Sequence, residues 1–322
     1  MKAIRFERNG GPDVLNYVDV ELPPPGAGQV RVKHTVVGVN FIDTYHRTGL
    51  YKLSLPSGLG SEAAGVVEAL GAGVTTLRVG ERVAYAGAMG AYAEANNVPA
   101  ERLVKIPAGV SDETAAAAML KGMTAQYLLK RTFVVQRGQT ILFHAAAGGV
   151  GLIAAQWAKH LGVTVIGTVG SDEKIALAKD NGCSHVLNTR KDDWVKRVRE
   201  ITGGAGVPVV YDSIGKDTFA GSLDCLAVRG MLVSFGNSSG AVPPFEPGIL
   251  SAKGSLYFTR PTLVSYTRNA KELMETADDL FAVIASGAVK IAVHQRFKLA
   301  EARQAHEALH SRATTGATVL LP

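Results

Sequence analysis

Ala146, Gly148 and Gly151 stand in "ILFHAAAGGVG" at the spacing G-x-G-x-x-G, with alanine in the first place. An apolar run precedes them and an amphipathic stretch comes after, so the glycines fall where a strand turns into a helix. A bare main chain there suits a phosphate. Gly148 lets a pyrophosphate approach the backbone, and Gly151 lets the helix pack closely on the strand. The free N–H groups of the first turn, at Gly149 and Val150, then favour an anion. NAD-binding chains place Asp or Glu about 20 residues on, to bond the ribose 2′-hydroxyl. Here that position offers Ser171, with Lys174 one turn later and Arg190 after the following strand. A hydroxyl with cations nearby predicts a 2′-phosphate, and so NADPH over NADH. Asp172 keeps a second reading open, as a ribose acid shifted along. Ser171–Asp172–Glu173 also reads as a helix N-cap with an acidic first turn.

Such a turn needs a parallel sheet to hold it. From about Thr140 short apolar strands alternate with helices. The strand candidates are 141–144, 163–168, 185–188, 209–212 and 231–235. The helical candidates are 150–161, 172–181, 193–202 and 217–228. This alternation predicts a doubly wound α/β fold. Val150, Ile153, Ala154, Trp157 and Leu161 share one face of the first helix, and Gly162 suits its left-handed end. "SFGNSSG" closes a parallel strand at the sheet's carboxyl edge, which makes Phe235, Gly236 and Asn237 cofactor contacts. The first third is different. "QVRVKHTVVGVN" alternates Val30 and Val32 with Arg31 and Lys33, and Gly and Pro punctuate the stretch after it at short intervals, as in a small barrel-like β domain. Beyond about Pro261 come a helix (270–286), a strand (293–297), a helix (299–311) and a strand (318–321).

Composition narrows the class. The chain has 322 residues, room for about two domains. Hydrophobic residues are 47% and charged residues 19%, a globular balance. No apolar run reaches the ~18 residues of a membrane span. "MKAIRFERNGG" lacks a signal peptide's apolar core. Two cysteines, Cys183 and Cys225, are too few for a disulfide framework. These features predict a cytoplasmic protein. The net charge is +6, but acids and bases are interspersed, as in "KDDWVKRVRE", which is a solvated helix face rather than a nucleic-acid track.

The residues from Gly138 to Lys159, with Leu142, Ala146–Gly149, Gly151, Gln156 and Lys159, resemble the signature of the zinc-free quinone oxidoreductases. These are the zeta-crystallin group of the medium-chain dehydrogenase/reductase superfamily. The likeness covers nearly the whole chain, through "LKGMTAQYLL", "VVYDSIG", "VSFGNSSG", "GSLYFTRP" and "SRATTGA", and is closest to bacterial NADPH:quinone reductases. It implies a Rossmann domain (124–260) inserted into a GroES-like β-barrel catalytic domain (1–123 and 261–322). It implies a homodimer through the Rossmann domains and an active site in the interdomain cleft. Zinc-dependent cousins have a Cys ligand in "GVCHTD" and a His ligand in "GHE". Here "GVNFID" and "GSE" put Asn40 and Ser61 in those places, poor zinc ligands. His306 and His310 lie one helical turn apart with no third ligand in view, so no metal site is expected. Without a Lewis acid, alcohol oxidation is disfavoured, and an electrophilic acceptor such as a quinone needs chiefly orientation.

The resemblance further implies that Asn40, Asp43, Tyr45 and Tyr51 surround the nicotinamide and substrate. It implies cofactor contacts at Asn40, Thr124, Phe258, Arg260 and Arg312. "NFIDTYHRTGLY" itself reads as a polar, aromatic loop segment after a strand. The leading expectation is metal-independent transfer of reducing equivalents from NADPH to a quinone. Relatives of like architecture reduce enones, alkenals or enoyl thioesters, where a placed acid such as Tyr51 helps more. A non-enzymatic role, RNA-binding or structural, has only the basic charge behind it.

Overall fold

A computed structural model describes residues 1–311 and 313–322; the expected contact Arg312 lies outside the described residues. The chain forms two compact units. One comprises Met1–Met123, Thr267–Ala285 and Ile291–Pro322, the other Thr124–Tyr266 and Ser286–Lys290.

The second unit carries the glycine turn. Its strands are β1 (Thr140–Phe143), β2 (Thr164–Val169), β3 (His185–Asn188), β4 (Val207–Asp212), β5 (Leu226–Ser234) and β6 (Tyr257–Thr259). They form one parallel sheet in the order β3-β2-β1-β4-β5-β6. Both faces are covered, so β2 and β4 are buried almost throughout and read as continuous apolar runs. The helices are α1 (Gly149–His160), α2 (Glu173–Asp180), α3 (Trp194–Ile201) and α4 (Phe219–Asp224). Helix α4 is shorter than the expected 217–228, because Leu226 already pairs with Val207 in the sheet. Helix α1 buries Ile153, Ala154 and Trp157 as its periodicity predicts. It also buries Leu152, Ala155 and Ala158, while Val150 and Leu161 stay half-buried. Gly162 follows it at φ 79°, the left-handed end expected of it.

The later junction falls after Tyr266 rather than after residue 260. Tyr266 stacks on Tyr127 with ring centroids 4.5 Å apart, and its hydroxyl accepts from Thr132 Oγ1 at 2.8 Å. Those contacts keep 261–266 with the sheet. Gln156 secures the outlying Ser286–Lys290, bonding both the N–H and the carbonyl of Lys290.

The first unit is β-rich. Its long strand Gln29–Val39 pairs antiparallel with Glu62–Leu70, Ala95–Pro99 and Ala317–Leu321. Both ends of the chain therefore build one seven-stranded sheet. Val30 and Val32 are buried, Arg31 is half-buried and Lys33 exposed, as the alternation predicts. They join a core with Val37, Leu59, Tyr92 and Leu320. The C-terminal segment forms helix Ala270–Ala285, strand Val293–Lys298, helix Ala302–His310 and strand Ala317–Leu321.

Candidate functional site

The glycine turn leaves β1 where the strand order reverses, between β2 and β4, the point at which doubly wound sheets take ligands. Ala145 holds φ 53°, and the Ala146 N–H donates to Thr168 O at 2.9 Å, tying the turn to β2. The left-handed residue is thus Ala145, so the first fingerprint place can be alanine. Gly167 makes room for it, since a Cβ there would lie 2.7 Å from the Ala146 Cβ. Gly151 is bare for packing: its Cβ would meet Ala145 O at 2.4 Å and Ala146 Cα at 2.7 Å. At Gly148 a Cβ would meet only Ala145 O, at 3.2 Å, and no side chain caps α1. Gly148, Gly149 and Val150 are partly exposed. An uncapped helix start with an open backbone is the cradle a pyrophosphate needs, so these residues fit a dinucleotide.

Ser171 ends the strand region beyond β2, and its hydroxyl bonds Glu173, holding that carboxyl below its usual range. The Asp172 carboxylate is taken by Lys191 and by Asn188 Nδ2, which lower its pKa. That pairing ties the start of α2 to the loop after β3, where exposed Arg190 donates its N–H to Asn188 Oδ1 at 3.0 Å. The structure thus brings the segments bearing Ser171, Lys174 and Arg190 together. It also gives Asp172 partners other than a ribose.

At the carboxyl edge, Phe235 packs against Phe143 with centroids 5.7 Å apart. Gly236 is bare because Ser213 O would lie 2.6 Å from its Cβ. Arg260 Nη1 donates to Ser234 O at 2.9 Å, and Asn237, with its amide oriented to suit, accepts from Arg260 Nη2 at 3.1 Å. Phe258 is half-buried, with its ring among Phe219 and Phe245, at 6.0 and 5.3 Å. Thr124 is buried near the end of helix Asp112–Tyr127. Sequence reasoning missed Asp212, whose buried carboxylate collects Thr218 Oγ1, Ser222 Oγ and the N–H groups of Ile214 and Gly215 beside this edge.

In the first unit, "NFIDTYHRTGLY" is a helix (Phe41–Thr48) rather than a loop, with Asn40 as its N-cap. Asp43 accepts from the Asn40 N–H at 2.8 Å. Tyr45 and Tyr51 meet edge to face at 5.2 Å. Burial, more than any charge, pushes the Asp43 carboxyl up to about 7, against the Asn40 N–H and the Tyr92 hydroxyl.

The hub that sequence reasoning missed is Glu62, fully buried beside Ser61. Its Oε2 accepts from Asn40 Nδ2 at 2.8 Å and Lys121 Nζ at 3.0 Å, and its Oε1 accepts from the Leu120 N–H at 2.6 Å. A carboxylate only accepts, so the Asn40 group facing it is the NH₂, and Asn40 Oδ1 is left as the acceptor. Gly38 makes the space, because a Cβ there would lie 2.1 Å from Glu62 Oε2. The signals were a glycine inside a strand and a lone acid in "SEAAGVV". Ser61 is buried, and its Oγ has no partner among the described residues. Nor do three His, Cys, Asp or Glu side chains converge anywhere among them.

His306 is buried, and burial together with Arg47 pushes it down to about 3. The unfolded chain takes a proton on this ring near pH 6.5 while the folded one does not. Its contribution to stability is therefore present above 6.5 and lost as pH falls toward about 3. Urea unfolding at pH 4.5 and 7.5 is expected to show a smaller pH difference in His306→Gln than in the parent.

An alcohol dehydrogenase GroES-like domain model matches residues 26–108, and a zinc-binding dehydrogenase model matches residues 149–283. A quinone oxidoreductase of Pseudomonas aeruginosa is 55% identical over 100% of this chain and 99% of its own. The 2-haloacrylate reductase of a Burkholderia species is 47% identical over 99% and 98%. The Escherichia coli quinone oxidoreductase solved in complex with NADPH superposes with a TM-score of 0.99, at 50% identity and full coverage of both chains. With these likenesses added to a glycine turn at the sheet's reversal and a GroES-like β unit, the chain belongs to the quinone oxidoreductase family of the medium-chain dehydrogenase/reductase superfamily.

Proposed function

We propose that this chain is an NADPH-dependent quinone oxidoreductase that works without zinc. The observation that carries the reading is the open cradle at Gly148–Val150 in a chain superposing end to end on a relative solved with NADPH. When bound, NADPH supplies a hydride to an electrophilic acceptor. The chain's own residues bind and orient. The N–H groups at Gly149 and Val150, with Ala146, Gly148 and Gly151 shaping the turn, hold the pyrophosphate. Ser171, Lys174 and Arg190 hold the 2′-phosphate. Thr124, Phe235, Gly236, Asn237, Phe258 and Arg260 serve the rest of the cofactor, and Arg312 joins them by family resemblance. Asn40, Asp43, Tyr45 and Tyr51 face the reacting groups. Zinc independence is supported by the donor set, an amide at Asn40 and a hydroxyl at Ser61.

A homodimer through the Rossmann unit is supported by its edge. The short strand β6 exposes Tyr257 (58%), and Val228 on β5 is 74% exposed. A cytoplasmic site is supported by two buried, unpaired cysteines whose thiols burial pushes up to about 12, and among the described residues no helix is long and apolar enough to cross a membrane.

The 47% identity to a 2-haloacrylate reductase favours one second reading, reduction of a carbon–carbon double bond. NADPH oxidation with 1,4-benzoquinone, 9,10-phenanthrenequinone, a 2-alkenal and 2-chloroacrylate separates the two. Quinone turnover is expected to dominate, and equal or faster alkene turnover would hand the site to the second reading. Lys174→Ala is expected to weaken NADPH ~10–100-fold, the ~1.5–3 kcal/mol of a charge-assisted contact, with NADH unchanged. A preference ratio that stays put in fluorescence titrations removes Lys174 from the phosphate site.

A further inference from the structure

Four buried side chains from three separate segments form one hydrogen-bonded line. Arg47 Nη1 lies 2.9 Å from His306 Nδ1, His306 Nε2 lies 3.1 Å from Tyr92 Oη, and Tyr92 Oη lies 2.9 Å from Asp43 Oδ2. The line has one direction. A guanidinium only donates, so His306 Nδ1 accepts. Buried neutral beside Arg47, the ring carries its single hydrogen on Nε2 and gives it to Tyr92 Oη. The Tyr92 hydrogen is then directed at Asp43 Oδ2. That oxygen also accepts the Asn40 N–H, so it faces two donors. Asp43 Oδ1 is buried, with no partner among the described residues.

We propose that Asp43 is the proton donor of quinone reduction, holding its hydrogen on Oδ1, and that Tyr92, His306 and Arg47 are positioning residues that keep it there. The proposal rests on the quinone reductase reading. Hydride addition turns the quinone into the hydroquinone monoanion. The Asp43 O–H bond breaks, its hydrogen passes to the anionic oxygen, and the carboxylate takes a proton back from water. The charged groups facing Asp43 suit this task. Glu62 raises its proton affinity, Lys121 lowers it while paired with Glu62, and the charge of Arg47 is two neutral side chains away. The Tyr92 hydroxyl is spent on Asp43 and is held protonated by burial. In the neutral range Asp43 passes between its two forms, so it can both give and regain a proton.

The test is the pH profile of kcat with 1,4-benzoquinone at saturating NADPH. In the parent, kcat is expected to fall as pH rises through about 7, where burial leaves Asp43 half protonated. Asp43→Asn is expected to lose ~10²–10³-fold in kcat and the falling limb with it. Tyr92→Phe removes a donor to the anion, so the limb should move up by about one to two pH units. A merely structural Tyr92 would lower kcat and leave the limb in place. Tyr51→Phe should leave it in place as well. Circular dichroism and NADPH fluorescence check that each variant is folded. Infrared difference spectra read the protonated carboxyl directly: its C=O band should be present at pH 6, fade by pH 8 and be absent in Asp43→Asn. A limb that persists in Asp43→Asn, or that stays fixed in Tyr92→Phe, overturns the proposal. So does the absence of that band from the parent. If the parent reduces no quinone at all, the functional reading fails, and the infrared titration still decides where the proton sits.

Discussion

Gly151→Val is expected to lower unfolding free energy by ~3–5 kcal/mol and NADPH affinity by at least ~100-fold. The cause is local and hard. A Cβ at Gly151 would sit 2.4 Å from Ala145 O and 2.7 Å from Ala146 Cα, both backbone atoms. No rotamer relieves a clash with main chain, so α1 must move off β1 and the turn must open. Gly148→Ala makes the control. Its φ of −82° suits alanine, and its Cβ would touch only Ala145 O at 3.2 Å. Stability should change by no more than about 0.5 kcal/mol while NADPH binding falls ~10–100-fold, because the methyl occupies the phosphate's place. Thermal unfolding and fluorescence titration of the two variants, side by side, separate a glycine kept for packing from one kept for a ligand. Equal losses of stability in both would refute the distinction.

The same contrast explains what could be read from residues alone. Strand–helix alternation and the glycine spacing are local patterns, so the parallel sheet and its glycine turn were legible. So was the alternation of Val30 and Val32. Where tertiary pairing overrides local pattern, reading failed: Leu226–Val228 look helical but are claimed by the sheet through Val207. The ring neighbours of Phe258, Phe219 and Phe245, come from elsewhere in the sequence, so no spacing rule announces them. The site hub was hidden for the same reason. Glu62, Lys121, Tyr92, Arg47 and His306 are scattered from residue 47 to 306, and no spacing rule links them. Only the cost of burying a charge does so. A buried acid among small residues requires a partner, and the sequence does not say which.

Lys121→Met puts a value on that partnership. Glu62 is fully buried and Lys121 nearly so, and no other cation hydrogen-bonds the carboxylate among the described residues. Removing the ammonium leaves a buried anion held only by the Leu120 N–H and the Asn40 amide. The expected loss is ~3–5 kcal/mol in urea unfolding. Adding Glu62→Gln removes the stranded charge, so the double variant should return to within about 2 kcal/mol of the parent. Activity should not return with it. The introduced glutamine can still accept the Leu120 N–H with its oxygen, and its NH₂ then faces Asn40. Two NH₂ groups cannot bond, so Asn40 must reverse its amide and present a donor where it had presented Oδ1. Stability restored with kcat/KM still at least ~10-fold down would identify the ion pair as the device that orients Asn40. Restoration of both, or a Lys121→Met protein as stable as the parent, would mean that the pair holds nothing the site needs.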